Sequence, residues 1–163
     1  VATAPLAADG HVNLSPKGLE GLAILDAHTV AYLDLVGSGI ETVAHLRENG
    51  RIALMFCAFE GPPRILRLHG RGEVVEPGNP DWPELAARFP AHRNRRAIVR
   101  VHVERVADSC GYGVPLYAYQ GDRPQLFQWA ERRDDETLAS YRRDHNASLD
   151  GLPGLRNPDV AIE

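Results

Sequence analysis

Apolar and polar positions alternate over short stretches through most of the chain, with the period of two that marks β-strands. The clearest stretch is "RAIVRVHVERVAD", residues 96–108. Its alternation sets Ile98, Arg100, His102 and Glu104 on one face and Val99, Val101, Val103 and Arg105 on the other. "RILRLHGRGEVVE" (64–76) alternates arginine with aliphatic residues, which predicts a half-exposed strand with a basic face. "RIALMFCAFE" (51–60) is almost continuously apolar and predicts a strand buried on both faces. Shorter strands are predicted in 11–16, 21–26 and 27–36, where β-branched and aromatic residues gather between turn signals.

Three helices interrupt this pattern. The first is predicted from Ser38 to about Glu48 and is closed by Asn49-Gly50. The second runs from Asp81 as cap to Phe89, with Pro83 in its first turn. The third covers 124–143, with Leu126, Trp129, Ala130, Leu138 and Tyr141 as its apolar stripe. Beyond it, 145–163 mixes glycine and proline with aliphatic residues and reads as an arm laid on the body. Six or seven strands with few helices and no strand-helix-strand alternation predict a mainly β protein, an antiparallel barrel or sandwich.

The 163 residues fit a single domain, 1–163, able to bury a core without staples. A net charge of -4 gives no electrostatic support for nucleic acid or an anionic membrane as partner. No apolar run approaches a membrane span, and no secretion signal is present, so a cytoplasmic protein is expected. Cys57 and Cys110 are then expected as free thiols. The opening "VATAPL" reads as a strand entered at its middle, with a preceding segment left out. Among eighteen basic residues Lys17 is the lone lysine, which hints at a need for a compact ammonium there.

No histidine pair has helical metal-ligand spacing, and the cysteines are far apart, so a metal site is not expected. A nucleophile elbow is also missing. Three weak pieces remain. "NLSPKG" brings Ser15 and Lys17 to a strand end. "GSGIET" offers Gly37, Ser38, Gly39 and Thr42 at a helix start, and "RILRLHG" sets Arg64 and Arg67 on a strand. Ser38 with Glu41 reads as a capping box, and equally as part of an anion site where free amides meet the positive end of the helix dipole. Together the pieces suit a ligand with one phosphate and a flat polar ring: helix amides and Lys17 for the phosphate, strand backbone and arginine for the ring edge.

Over most of its length, from "VATAPLAADGHVNLSPKG" through "DLVGSGIETVAHLRENG" and "RILRLHG" to "DSCGYGVP", the chain resembles the FMN-binding split-barrel proteins related to pyridoxamine 5'-phosphate oxidase. It is most similar to a subgroup without assigned chemistry. The oxidases carry R-Q-V-R-V-E-G along the flavin. Arg64 and Arg67 match that pattern, and Ile65 replaces its glutamine. Their Ser-Arg-Lys run at the flavin phosphate is replaced by "GSGIET", while the helix ending L-x-x-N is kept in Leu46 to Asn49. The resemblance implies a six- to seven-stranded antiparallel split β-barrel with short peripheral helices, and a homodimer with FMN at the interface. It also implies a flavin-dependent oxidoreductase acting on a small molecule, the flavin supplying the redox chemistry. Alternatives within the resemblance are a reductase using a deazaflavin coenzyme and a non-catalytic flavin or haem carrier. The cofactor-binding set is Ser15, Lys17, Asp34, Gly37, Ser38, Gly39, Thr42, Arg64, Ile65 and Arg67. Loop 109–115 is the candidate substrate side, with Cys110 and Tyr112; a structural thiol and a packing aromatic are the plainer readings of those two.

Overall fold

The computed structural model describes residues 1–160. Seven strands form one antiparallel sheet: β1 (Ala2–Thr3), β2 (Asn13–Leu14), β3 (Leu22–Ile24), β4 (Thr29–Leu35), β5 (Arg51–Cys57), β6 (Ile65–Val75) and β7 (Arg95–Ser109). Their order in the sheet is β2-β1-β5-β6-β7-β4-β3. Four helices flank it: α1 (Glu41–Asn49), α2 (Trp82–Ala86), α3 (Gln125–Glu131) and α4 (Asp135–Asp144).

The sheet is curled. Val30 and Tyr32 of β4 share one core with Ile52 and Leu54 of β5, although two strands lie between them in the sheet. Leu68, Val99 and Val101 complete that core, and Leu46 of α1 plugs one end. Gly72 makes room for the plug, since a Cβ there would press on the Leu46 side chain. Fully burying a valine or leucine contributes about 1.5–3 kcal/mol, so this cluster holds the curl closed. The barrel stays split because β1 meets β5 only at Ala2↔Ala53. Residues 54–57 of β5 therefore face β3 and the 14–22 segment without pairing to them.

Several sequence expectations change here. β5 is not buried on both faces: Ile52 and Leu54 point into the barrel, while Arg51 and Met55 are exposed on its outer side. Its apolar outer face looks onto the split, which the residue pattern cannot distinguish from burial. α1 starts at Glu41 rather than Ser38, and its N-cap is Ile40, with no side-chain cap. The Ser38–Glu41 capping box is therefore not formed. At its other end Gly50 takes the left-handed conformation and donates to the Leu46 carbonyl at 2.9 Å, the stop expected from Asn49-Gly50.

α2 ends at Ala86, and the Asp81 carboxylate is drawn to Arg100 at 2.9 Å instead of capping it. The long C-terminal helix is two, because Asp134 starts a new one by accepting from the Thr137 amide at 2.8 Å.

β7 also departs from simple alternation. A bulge opposite His69/Gly70 leaves Glu104 unpaired, with Gly70 facing Val103 and His69 facing Arg105. Arg105 thereby leaves the face of Val99, Val101 and Val103 and joins His69 on the outer side. Gly70 permits this, since a Cβ would overlap the His102 carbonyl oxygen.

Beyond α4 the chain lies against the body of the protein. Leu155 is buried with Ile40, Val43 and Ala97. Asn146 brackets it, accepting from its amide at 2.6 Å and donating to its carbonyl at 2.9 Å. Glu76, ion-paired with Arg47, accepts from the Arg156 and Asn157 amides. Residues 161–163 of the predicted arm lie outside the described residues.

Candidate functional site

The strand end of β2, the turn after β4 and the start of α1 converge on one polar cavity of about 230 Å³. Of the candidate residues, Ser15, Lys17, Gly37, Gly39 and Thr42 line it, together with Asn13, Glu41 and Arg96. Ser38 is exposed and does not line it. Beneath lies Asp34, fully buried in an otherwise apolar strand.

A buried carboxylate must be paired, and Asp34 is paired twice. Arg96 of β7 donates to one oxygen at 2.7 Å and Lys17 to the other at 3.2 Å. Burial pushes the Asp34 pKa up, but the charges and hydrogen bonds of Arg96 and Lys17 outweigh it and hold the carboxyl below its ordinary value. Arg96 also donates to the Gly39 carbonyl at 2.8 Å, which ties β7 to the turn before α1. The Lys17 ammonium sits 5.9 Å from the centre of the Tyr32 ring. Burial, then the charge of Asp34, raises the Tyr32 pKa well above its usual value, so the phenol stays neutral.

Arg96 and Asn13 are the residues that sequence reasoning missed. A signal for the first existed: an aspartate inside "VAYLDLV" requires a buried cation. Seventeen arginines left its identity open. Asn13 had no signal, because a lone asparagine before a turn is ordinary.

The second cavity is a groove of about 900 Å³ running along the split. It shares Ser15, Pro16, Lys17, Gly18 and Leu33 with the smaller cavity, so the two lie against one loop. Its walls are apolar, with Leu14, Leu22, Met55 and Phe59 all partly exposed, and Arg67 and His69 stand on one side. The shared loop carries backbone strain: Leu19 and Glu20 hold φ of 62° and 55°, a region that side chains avoid and that functional loops often retain.

Arg67 lines this groove and donates to the Ser109 hydroxyl at 3.1 Å. Arg64 and Ile65 line neither cavity. They lie at the start of β6, where Ile65 pairs with Ser109 and Gly111 backs onto the Arg64 backbone. Cys110 and Tyr112 sit at that end and also line neither cavity. Both are exposed, Tyr112 by 83%, so Tyr112 is not the packing aromatic of the plainer reading.

For a phosphate-bearing flavin the residues present fit. Lys17 and Arg96 supply positive charge, Gly37 leaves open space, and Thr42 adds a hydroxyl where the oxidases' basic pair is missing. Asp34 and Glu41 match those two cations, so the side chains give the cavity no net formal charge and the amides at the start of α1 add the positive potential.

Fold and site together define a split antiparallel barrel in which a polar cavity opens beside an apolar groove. The family model described as pyridoxamine 5'-phosphate oxidase matches residues 1–110, and the chain belongs to that family. A curated relative, the pyridoxamine 5'-phosphate oxidase family protein ustO of Aspergillus flavus, is 40% identical over 165 residues. That match covers 90% of this chain and 66% of the relative, so the chain spans just under two-thirds of that protein's length. Among solved structures, the HupZ protein of Group A Streptococcus is 21% identical with a TM-score of 0.47, covering 72% of this chain and 88% of its own. A candidate pyridoxamine 5'-phosphate oxidase from Lactobacillus delbrueckii is 22% identical with a TM-score of 0.48, covering 65% and 81%. No helix among the described residues is long and apolar enough to cross a membrane.

Proposed function

We propose that the chain binds FMN and serves a flavin-dependent oxidoreductase acting on a small molecule. The observation that carries this reading is the placement of the two cavities side by side against Ser15–Gly18. A ligand with a dianionic end and a flat ring suits such a pair: a compact polar pocket beside a larger apolar groove. Lys17, Arg96, Thr42 and the backbone at Gly37 and Gly39 would hold the phosphate, and Met55, Phe59 and Arg67 would border the ring. Bound FMN would supply the electron transfer, and the protein would orient the ring and shield it from water. A second copy of the chain would cover the open apolar wall of the groove, giving a homodimer with the cofactor at the interface.

The test is a flavin titration followed by fluorescence quenching. Lys17→Ala is expected to weaken FMN by about ten- to a hundredfold, the size of a lost charge-assisted contact. Riboflavin, which lacks the phosphate, should bind both forms alike. Absence of FMN binding to the native protein refutes the reading. Equal weakening of both flavins refutes Lys17 as a phosphate ligand.

A further inference from the structure

Four polar side chains form a chain of hydrogen bonds from the core to the small cavity. His45 of α1 is wholly buried, and its Nδ1 lies 3.0 Å from the Thr3 hydroxyl. The amide nitrogen of Asn13 donates to that same hydroxyl at 3.1 Å and to the Thr42 hydroxyl at 2.9 Å. Asn13 and Thr42 both line the cavity.

The direction of the Asn13 bonds follows from the donor inventory. Thr3 accepts from Asn13 and meets His45 Nδ1 as donor or as acceptor according to the imidazole tautomer. The His45 Nε2 is buried without a partner. Thr42 likewise accepts from Asn13, which leaves its own proton to donate. The phenol oxygen of Tyr32 is the protein acceptor nearest to that proton, but the pair does not reach hydrogen-bond geometry. An anionic oxygen in the cavity is the stronger acceptor and draws the proton there.

We propose that Asn13 is a positioning residue that fixes the Thr42 hydroxyl as a donor to an oxygen of a phosphate monoester. This rests on the reading of the small cavity as the phosphate end of the flavin site. An unconstrained threonine hydroxyl can donate or accept. One whose lone pair is held by an amide proton is biased toward donation, which favours a group that only accepts. His45 and Thr3 anchor the other proton of the Asn13 amide and so keep it from turning over.

The experiment compares Asn13→Asp in the native and Thr42→Val backgrounds, with the FMN-to-riboflavin affinity ratio as readout. A carboxylate at position 13 accepts from Thr42 and takes its proton away from the cavity; it also adds a negative charge. The charge acts in both backgrounds, whereas the inversion needs the Thr42 hydroxyl. The ratio is expected to fall about thirtyfold in the native background and about fivefold or less with Thr42→Val. Equal falls in both backgrounds, or no fall in either, overturn the proposal.

Should Asn13→Asp fail to fold, as shown by a thermal melt, Asn13→Leu serves instead. It is expected to lower the ratio about fivefold only when Thr42 is present, and an equal effect in both backgrounds overturns the proposal. Inorganic phosphate, followed by backbone amide shifts at residues 37–42, separates the two readings should flavin not bind. Phosphate shifts in the native protein that are lost in Thr42→Val and Asn13→Asp support the Thr42 donor while the flavin reading falls. Shifts that persist in both variants, or are absent from the native protein, overturn it.

Discussion

Replacing Asp34 by asparagine keeps the side chain's size and removes its charge. Arg96, only 6% exposed at its side chain, would then be a buried cation without a counter-charge, left with the Gly39 carbonyl and the neutral amide oxygen as acceptors. Lys17 is 30% exposed and can turn to water, so it adds little to the cost. Breaking a buried pair by removing one partner costs about 3–5 kcal/mol, and the solvated lysine sets the expectation at the lower end, about 3 kcal/mol. For a chain of this length that lowers the melting temperature by about 6–12 °C.

The pH dependence has a definite sign. The native carboxyl is held below its ordinary value, so its contribution is present above the unfolded value of about 3.9 and is lost as pH falls through the native one. The gap between native protein and Asp34→Asn should be full at pH 7 and narrow below about pH 4. Circular dichroism melts across that range measure it. A gap under about 2 °C at pH 7, or one that does not narrow on acidification, would refute the buried ion triad.

Ser38→Ala should change stability by less than about 0.5 kcal/mol, because the hydroxyl caps nothing; a loss near 1 kcal/mol in a thermal melt would restore the capping box. Gly154→Ala should lower stability by about 1–3 kcal/mol, since a methyl there meets Ile40 and the Asn146 side chain and must lift the arm; an unchanged melt would show that the arm is not seated. Light scattering at micromolar concentration should give twice the chain mass, and a monomer would argue against a second copy over the groove.

The strands were legible because they obey a period of two and their faces differ sharply, as at Val99 and Val101 against Arg100, while their closure into a split barrel was implied by the family resemblance alone. The helix boundaries were not. At Ser38 the sequence offers a good cap, but Arg96 holds the Gly39 carbonyl and delays the helix, a tertiary contact that local pattern does not contain. The break at Asp134 was available in "DDET", yet the apolar stripe runs through it and outweighs the cap by eye. At the candidate site, glycine and lysine punctuation singled out two segments, and Ser15, Lys17, Gly37, Gly39 and Thr42 from them line one cavity. Arg64 and Ile65 followed the family pattern of the strand, and that pattern does not say where along β6 the groove stops: Arg67 lines it and Ile65, two residues earlier, does not.

The bulge in β7 gives that strand a spare residue. Deleting either Glu104 or Arg105 would restore regular pairing while leaving every position on both sides of it in phase: Val103 inward, the surviving residue beside His69 outward, Val106 opposite Leu68. A deletion anywhere among 97–101 has no such slack and would invert a run of fully buried side chains. Filling the space at Gly70 while keeping the chain length would slide 105–109 by one step, turning Arg105 toward the barrel and Val106 away from it. In this strand, length and phase are thus independent at one place, and that place is held open by a missing Cβ on its neighbour.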